Sequence, residues 1–262
     1  MANKPEDPAQ TPIEEATHRA IGEARRILAS LQAAARLHAL RPDGTVPVFY
    51  ADEVFSIALP WSDIELVQMQ MLGRRTATDD TLMQQILDLV PSLEGRTLLD
   101  VGSYTGATAM MLHRFLKPAH THMFEPQNLM QEALTTTIAT NPGTENVTLH
   151  QTVIDEDVQP VVRNATRPDR LAEAAYLRRE GGPLMAQSID SYGFDNVGMI
   201  HMDFNNTKIN ALNGAKETIE AQRPVVIMDL AGRDTDEIRA FFEPFDYEFQ
   251  RAGRHAMMMF PN

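Results

Sequence analysis

The residues best placed to do chemistry are the acids and glycines that close a series of short apolar runs. The first run, Thr97–Val101, passes through Gly102-Ser103-Tyr104-Thr105-Gly106 into a helical pattern. Glycines after a strand let the backbone approach a bound molecule closely, and the helix start that follows offers free N–H groups. A dinucleotide loop needs G-x-G-x-x-G to admit a pyrophosphate. Here the pattern is Asp100-x-Gly102-x-x-x-Gly106, and Tyr104 stands where the middle glycine would be. Tyrosine blocks the closest phosphate approach, so the loop suits a ligand that brings an amino-acid end to the turn. The second run closes with Phe124-Glu125-Pro126, 25 residues after Asp100. An acid at that tip is placed to accept hydrogen bonds from both ribose hydroxyls of an adenosine, each worth roughly 1.5–3 kcal/mol.

Two further runs end in carboxylates. Val197–Met202 carries His201 and leads into Asp203, while Val225–Leu230 carries Asp229. His201 and Asp203 are two apart, so on a strand they share a face. That makes His201 the candidate general base, a role worth roughly 10²–10⁴-fold, with Asp203 orienting it or the substrate. An alternative uses Asp203, Asp229 and Asn205 or Asn206 as an oxygen cage for Mg²⁺, which would acidify a pair of hydroxyls. Trp61, Tyr104 and Tyr192 are candidates to line a substrate pocket, although aromatic residues more often fill cores.

The elements that must position these groups follow from periodicity. Apolar runs at Thr97–Val101, His122–Phe124, Val147–Ile154, Val197–Met202 and Val225–Leu230 alternate with helical patterns at Ala107–Leu116, Leu129–Thr140, Ile209–Ala221 and Asp236–Phe242. Such alternation predicts an α/β domain with a mostly parallel sheet covered on both faces. Tyr247–Arg251 and His255–Phe260 lie so close together that they must pair antiparallel. Residues 156–187 interrupt the rhythm with a charged helical pattern over Asp169–Glu180, ending at Gly181-Gly182-Pro183. The helix Asp169–Glu180 reads as a lid with Gly181 and Gly182 as hinge, or as a solvated charged helix. Upstream, residues 1–10 read as a disordered tail, and residues 11–92 as an N-terminal helical extension and cap. Within it, Thr11-Pro12 opens a long helix whose stripe is Ile21, Ala24, Leu28, Leu31 and Ala35. The stripe packs on its own domain or serves as a dimer contact or substrate lid. Tyr50–Trp61 reads as a strand and turn, with helices near Ile64–Leu72 and Thr81–Leu89. The remaining domain spans 93–262.

Composition sets the limits. Among 262 residues, 36 acids outnumber 23 lysines and arginines, for a formal charge of −13. A surface of that sign repels phosphate backbones, so nucleic acid is a poor partner. The absence of cysteine removes disulfides, thiol nucleophiles and thiolate zinc sites together. No apolar run approaches the roughly 20 residues needed to cross a bilayer, and Met1–Pro12 lacks the apolar segment of a signal peptide. The expectation is a cytoplasmic protein acting on a small molecule.

On these residues the chain resembles the FkbM family of methyltransferases, within the class I S-adenosylmethionine enzymes, from about Phe55 to the C-terminus. The shared features are Leu99-Asp100-Val101-Gly102 with Gly106, Phe124-Glu125-Pro126, Ser188-Ile189-Asp190, Ile200-His201-Met202-Asp203, Leu212-Asn213-Gly214-Ala215 and Arg223-Pro224-Val225-Val226. The resemblance implies a Rossmann-like sheet of seven strands, the last antiparallel, and O-methylation of a sugar or natural-product hydroxyl. It further implies that Asp100, Gly102, Ser103, Tyr104 and Gly106 face the methionine end of the cofactor. Glu125 would hold the ribose and Asp155 would lie near the adenine. The chain departs from the family pattern Lys-x-Asp-x-Glu-Gly, having His201-Met202-Asp203-Phe204-Asn205-Asn206 instead. That departure falls at the substrate side and keeps open a protein that binds the nucleoside without transferring a methyl group.

Overall fold

The computed structural model describes residues 44–60, 80–90, 92–164, 174–204, 208–230, 235–253 and 255–262, with isolated helical positions between 17 and 32. In chain order the elements are a hairpin of β1 (Thr45–Tyr50) and β2 (Glu53–Ala58), helix α1 (Asp80–Leu89), β3 (Thr97–Val101), α2 (Ala107–Leu116), β4 (His120–Phe124), α3 (Asn128–Thr140) and β5 (Val147–His150). Four short strands follow: β6 (Val153–Ile154), β7 (Gln159–Asn164), β8 (Ala175–Arg178) and β9 (Leu184–Gln187). Then come β10 (Val197–Met202), α4 (Lys208–Asn213), α5 (Lys216–Gln222), β11 (Val225–Asp229), α6 (Thr235–Phe242), β12 (Tyr247–Ala252) and β13 (Ala256–Pro261).

The strands with unbroken apolar runs form the middle of the molecule. β3 and β10 are buried at every position, as strands covered on both faces must be. The main sheet has seven strands in the order β12-β13-β11-β10-β3-β4-β5. β5, β4, β3, β10 and β11 run parallel, while β13 runs antiparallel to both of its neighbours. The expected mostly parallel sheet with an antiparallel C-terminal hairpin is therefore present. One apolar layer, including Met83, Ile86, Met110, Leu112 and Leu134, packs under α1, α2, α3 and the β1–β2 hairpin. The other, including Leu99, Ile200, Leu212, Ile219 and Phe242, packs under α4, α5 and α6. The methionine run of β13 splits by the two-residue period of a strand: Met258 enters the first layer, Met257 and Met259 the second. The hairpin is tied on through Asn141 at the end of α3. Its side-chain amide accepts from Ser56 N (3.0 Å) and donates to Ser56 O (2.8 Å), much as a neighbouring strand would.

Three expectations need correction. The apolar stretch Val147–Ile154 is not one strand: the chain leaves the main sheet after His150, and β6 enters a second sheet of order β6-β9-β7-β8. Residues 175–178, read as part of a charged helix, are strand β8, paired antiparallel with β7. Cross-strand pairing has overridden the helical preference of Ala, Leu and Arg. The helical run at Ile209–Ala221 is two helices, broken around Gly214, where a Cβ would sit 2.2 Å from the Asp155 carbonyl oxygen. Trp61, the helix near Ile64–Leu72, Asn205, Asn206 and residues 165–173 of the expected lid lie outside the described residues. So does the tail, while Ile21 and Leu28 of the N-terminal stripe are helical and exposed.

Candidate functional site

A cleft opens at the C-terminal ends of β3, β4 and β10, where the parallel sheet meets the second, smaller sheet. Gly102, Tyr104, Phe124, Glu125, Thr152, Tyr176 and Asp203 are among its lining residues. Ligands of open α/β sheets bind at this edge, outside the carboxyl ends of the strands.

The floor is the turn after β3. Gly102 has φ +86°, a conformation that L side chains rarely adopt, and a Cβ there would stand 2.1 Å from the Asp203 carbonyl oxygen. The end of β10 thus presses directly on this glycine, and Asp203 N donates to Val101 O (3.0 Å). Tyr104 also has positive φ, at +48°. A left-handed tyrosine stores strain, and what the conformation achieves is an N–H aimed at Glu125 Oε2 (3.2 Å). Gly106 caps α2 with φ +81°, and a Cβ there would collide with Leu134, so it serves the packing of α3 against the turn.

Glu125 is the group around which this end of the cleft is built. It is only 4% exposed, yet it is among the residues that line the cleft. Tyr104 N holds one oxygen and Gln127 N the other (2.9 Å). Burial raises its pKa to about 7, with Asp100 adding to the rise, despite the opposing hydrogen bonds from Gln127 and Tyr104.

Beneath the floor, His201 and Asp100 face each other across the β10–β3 register, with Nδ1 2.6 Å from Asp100 Oδ1. Both are buried, and neither is among the lining residues of the cleft. Burial opposes the charged imidazolium. The hydrogen bond and charge of Asp100, with Asp203 and Asp229 beyond, outweigh it, and the His201 pKa is raised. Asp203, just past β10, does line the cleft. Burial raises its pKa; the His201 charge opposes that rise and Asp229 adds to it.

The far wall comes from the second sheet. Thr152, Val153 and Ile154 line the cleft as the chain crosses into β6, and Tyr176 reaches it from β8. Arg163 on β7 stands opposite Tyr176 in the ladder. The nitrogens Nε and Nη2 of Arg163 are buried and have no hydrogen-bond partner among the described residues. Asp155 follows β6 but is occupied: Arg178 Nη2 (3.2 Å) and Glu156 N (2.8 Å) donate to Oδ1, and Gln159 Nε2 to Oδ2 (3.3 Å).

Of the residues singled out in the sequence, the structure gathers Gly102, Tyr104, Glu125 and Asp203 around one cleft. Asp100 and His201 form a pair below it. The Ser103 hydroxyl donates to the Asp100 carbonyl (3.0 Å), and Gly106 and Asp155 serve packing and loop structure. Tyr192 is not among the lining residues of the cleft; it is stacked on Phe194 and packs edge-on against Phe124, which does line it. Among the described residues no group of three or more histidines and carboxylates is arranged to hold a metal ion, and Asn205 and Asn206 of the Mg²⁺ alternative lie outside those residues. Sequence reading missed Thr152, Tyr176 and Phe204, which line the cleft without any motif to mark them.

The sequence matches no protein-family model and no curated protein. Solved structures do match. Methyltransferase FkbM from Methylobacillus flagellatus aligns with a TM-score of 0.51 and 15% identity, over 90% of this chain and 59% of its own. The chain has a Rossmann-like methyltransferase fold. It spans 59% of the length of that neighbour. A putative caffeoyl-CoA O-methyltransferase from Staphylococcus aureus aligns at 11% identity and a TM-score of 0.47, over 76% of this chain and 91% of its own. TYW2 of M. jannaschii, solved in complex with AdoMet, aligns at 11% identity and 0.45, over 82% and 83%. No helix among the described residues is long and apolar enough to cross a membrane.

Proposed function

We propose that this protein is an S-adenosylmethionine-dependent methyltransferase acting on a hydroxyl of a small molecule. The observation that carries the reading is Glu125, a buried carboxylate at the tip of β4 that opens into the same cleft as the glycine turn. The donor set fits an adenosyl group. Each Glu125 oxygen holds one backbone N–H and keeps acceptor capacity for one of two vicinal hydroxyls. The turn at Gly102 and Tyr104 is left to meet the amino-acid tail. The solved structure of methyltransferase FkbM, which shares the fold, points the same way.

When bound, the sulfonium supplies an electrophilic methyl group. The chain's part is to align the acceptor, exclude water and receive a proton. Asp203 is the group placed for the last task, since it lines the cleft and burial raises its pKa, which makes it a stronger base. This moves the base from His201, whose Nδ1 is committed to Asp100 and whose ring is buried below the cleft. His201 becomes a positioning residue whose positive charge favours the ionised form of Asp203. Asp203→Asn should lower kcat by roughly 10²–10⁴-fold with unchanged affinity for S-adenosylhomocysteine. His201→Gln should instead shift the acidic limb of the pH–rate profile upward, and an unmoved limb would remove its assigned role.

The primary test is calorimetry with S-adenosylmethionine and S-adenosylhomocysteine. Saturable heat is expected, and none at millimolar concentration would end the proposal. One specific observation favours a second reading, a nucleoside-binding protein without transferase activity: His201 and Asn205 replace the Lys and Glu of the resembled family. Single-turnover transfer of labelled methyl to a mixture of hydroxyl compounds separates the two.

A further inference from the structure

We infer that Arg163 is a preformed fork for an oxyanion, a carboxylate or phosphate carried by the acceptor molecule. The inference rests on the methyl-transfer reading only for the word acceptor; the fork itself follows from this chain's own geometry.

Arginine stays charged at all accessible pH and has donors but no acceptor. Leaving such donors buried and unmade costs more than leaving a neutral group so. In Arg163 the two buried donors without a partner are Nε and Nη2. These are not an arbitrary pair: their N–H bonds lie parallel on one edge of the guanidinium, the edge that grips both oxygens of a carboxylate or phosphate. The fold therefore buries one complete bidentate edge, and none of the described residues fills it.

The place is informative as well. Arg163 is directly opposite Tyr176 on the antiparallel β7–β8 pair, so the two side chains share a face of the second sheet. That face carries Tyr176 to the cleft wall. Tyr176 lies within electrostatic reach of both Glu125 and Arg163. Arg178, on the same face two residues along, is already taken by Asp155. The lining acids Glu125 and Asp203 would repel an anionic acceptor, and Arg163 provides the opposing charge.

The test uses the full chain labelled with ¹⁵N-arginine and titrated with inorganic phosphate, with and without saturating S-adenosylhomocysteine. The Arg163 Nε–H signal is identified by its loss in Arg163→Lys. A saturable downfield shift in both titrations is expected, with at least tenfold weaker phosphate binding in Arg163→Gln. No shift at tens of millimolar phosphate overturns the fork. If S-adenosylhomocysteine alone produces the shift and phosphate adds nothing, the edge holds the cofactor's carboxylate and the acceptor assignment is overturned. If S-adenosylhomocysteine does not bind but phosphate still moves the signal, the fork stands and the methyl-transfer reading falls. Stability supplies an independent readout. Removing a charge kept unpaired for a ligand should leave Tm unchanged or higher, so a marked fall in Arg163→Gln would make the residue structural and sink the proposal.

Discussion

At the scale of single residues, Glu125 concentrates the consequences. Two backbone N–H groups hold its carboxylate in place, yet burial lifts its pKa to about 7. Ribose hydroxyls donate best to the ionised form, so binding should pull off the proton. Affinity for S-adenosylhomocysteine is expected to rise up to tenfold per pH unit below 7 and to level off above it. Calorimetry near pH 6 in buffers of different ionisation enthalpy should register proton release. Glu125→Gln should weaken binding by about ten- to several-hundred-fold, the worth of one or two charge-assisted bonds, and flatten the pH dependence. The position of Glu125 was legible because a residue at a strand tip after a fixed interval needs only local order to be placed. The Asp100–His201 contact was not. It joins residues 101 apart in the chain and depends on β10 inserting beside β3, which no local pattern announces.

At the scale of elements, the short helix α5 shows how a motif shared with a family can be structural. Asp190 accepts from Glu217 N (3.0 Å), Thr218 N (2.9 Å) and the Thr218 hydroxyl (2.7 Å), satisfying the open donors at the start of that helix. Asp190→Ala should cost about 1–2 kcal/mol in urea unfolding, the usual worth of an N-cap, without altering ligand affinity. Strands β3 and β10 and helix α2 were readable to the residue, since buried strands and amphipathic helices carry their own period. The second sheet resisted reading for an equally physical reason. Its strands are short, and Ala175-Tyr176-Leu177-Arg178 has helical composition and becomes a strand only through its partner β7. The wall that brings Tyr176 to the cleft, with Arg163 opposite it in the ladder, was therefore hidden.

At the scale of the whole molecule, the buried titratable groups pull stability in opposite directions. His201 has a folded pKa above its ordinary 6.5, so its contribution is complete below that pH and is lost as pH rises through the folded value. Glu125 and Asp203, also raised, act in the same sense, Glu125 between 4.5 and about 7. His122, pushed down to about 4 by burial and by His150 and His120, acts oppositely and penalises the fold as pH falls below 6.5. The unliganded protein should thus lose stability as pH rises above 6.5, by about 2–4 °C in Tm for each kcal/mol lost. Thermal melts should find most of that slope gone in His201→Gln. The strand order has a last consequence, for the chain as it is made. β3 is complete at Val101, but the strand that covers its inner edge begins only at Val197. At translation speeds of about 5–20 residues per second, that edge waits roughly 5–20 s for its partner. During that interval the nascent protein presents an uncovered apolar ribbon, so the centre of the finished domain is the part most in need of a chaperone's shelter at birth.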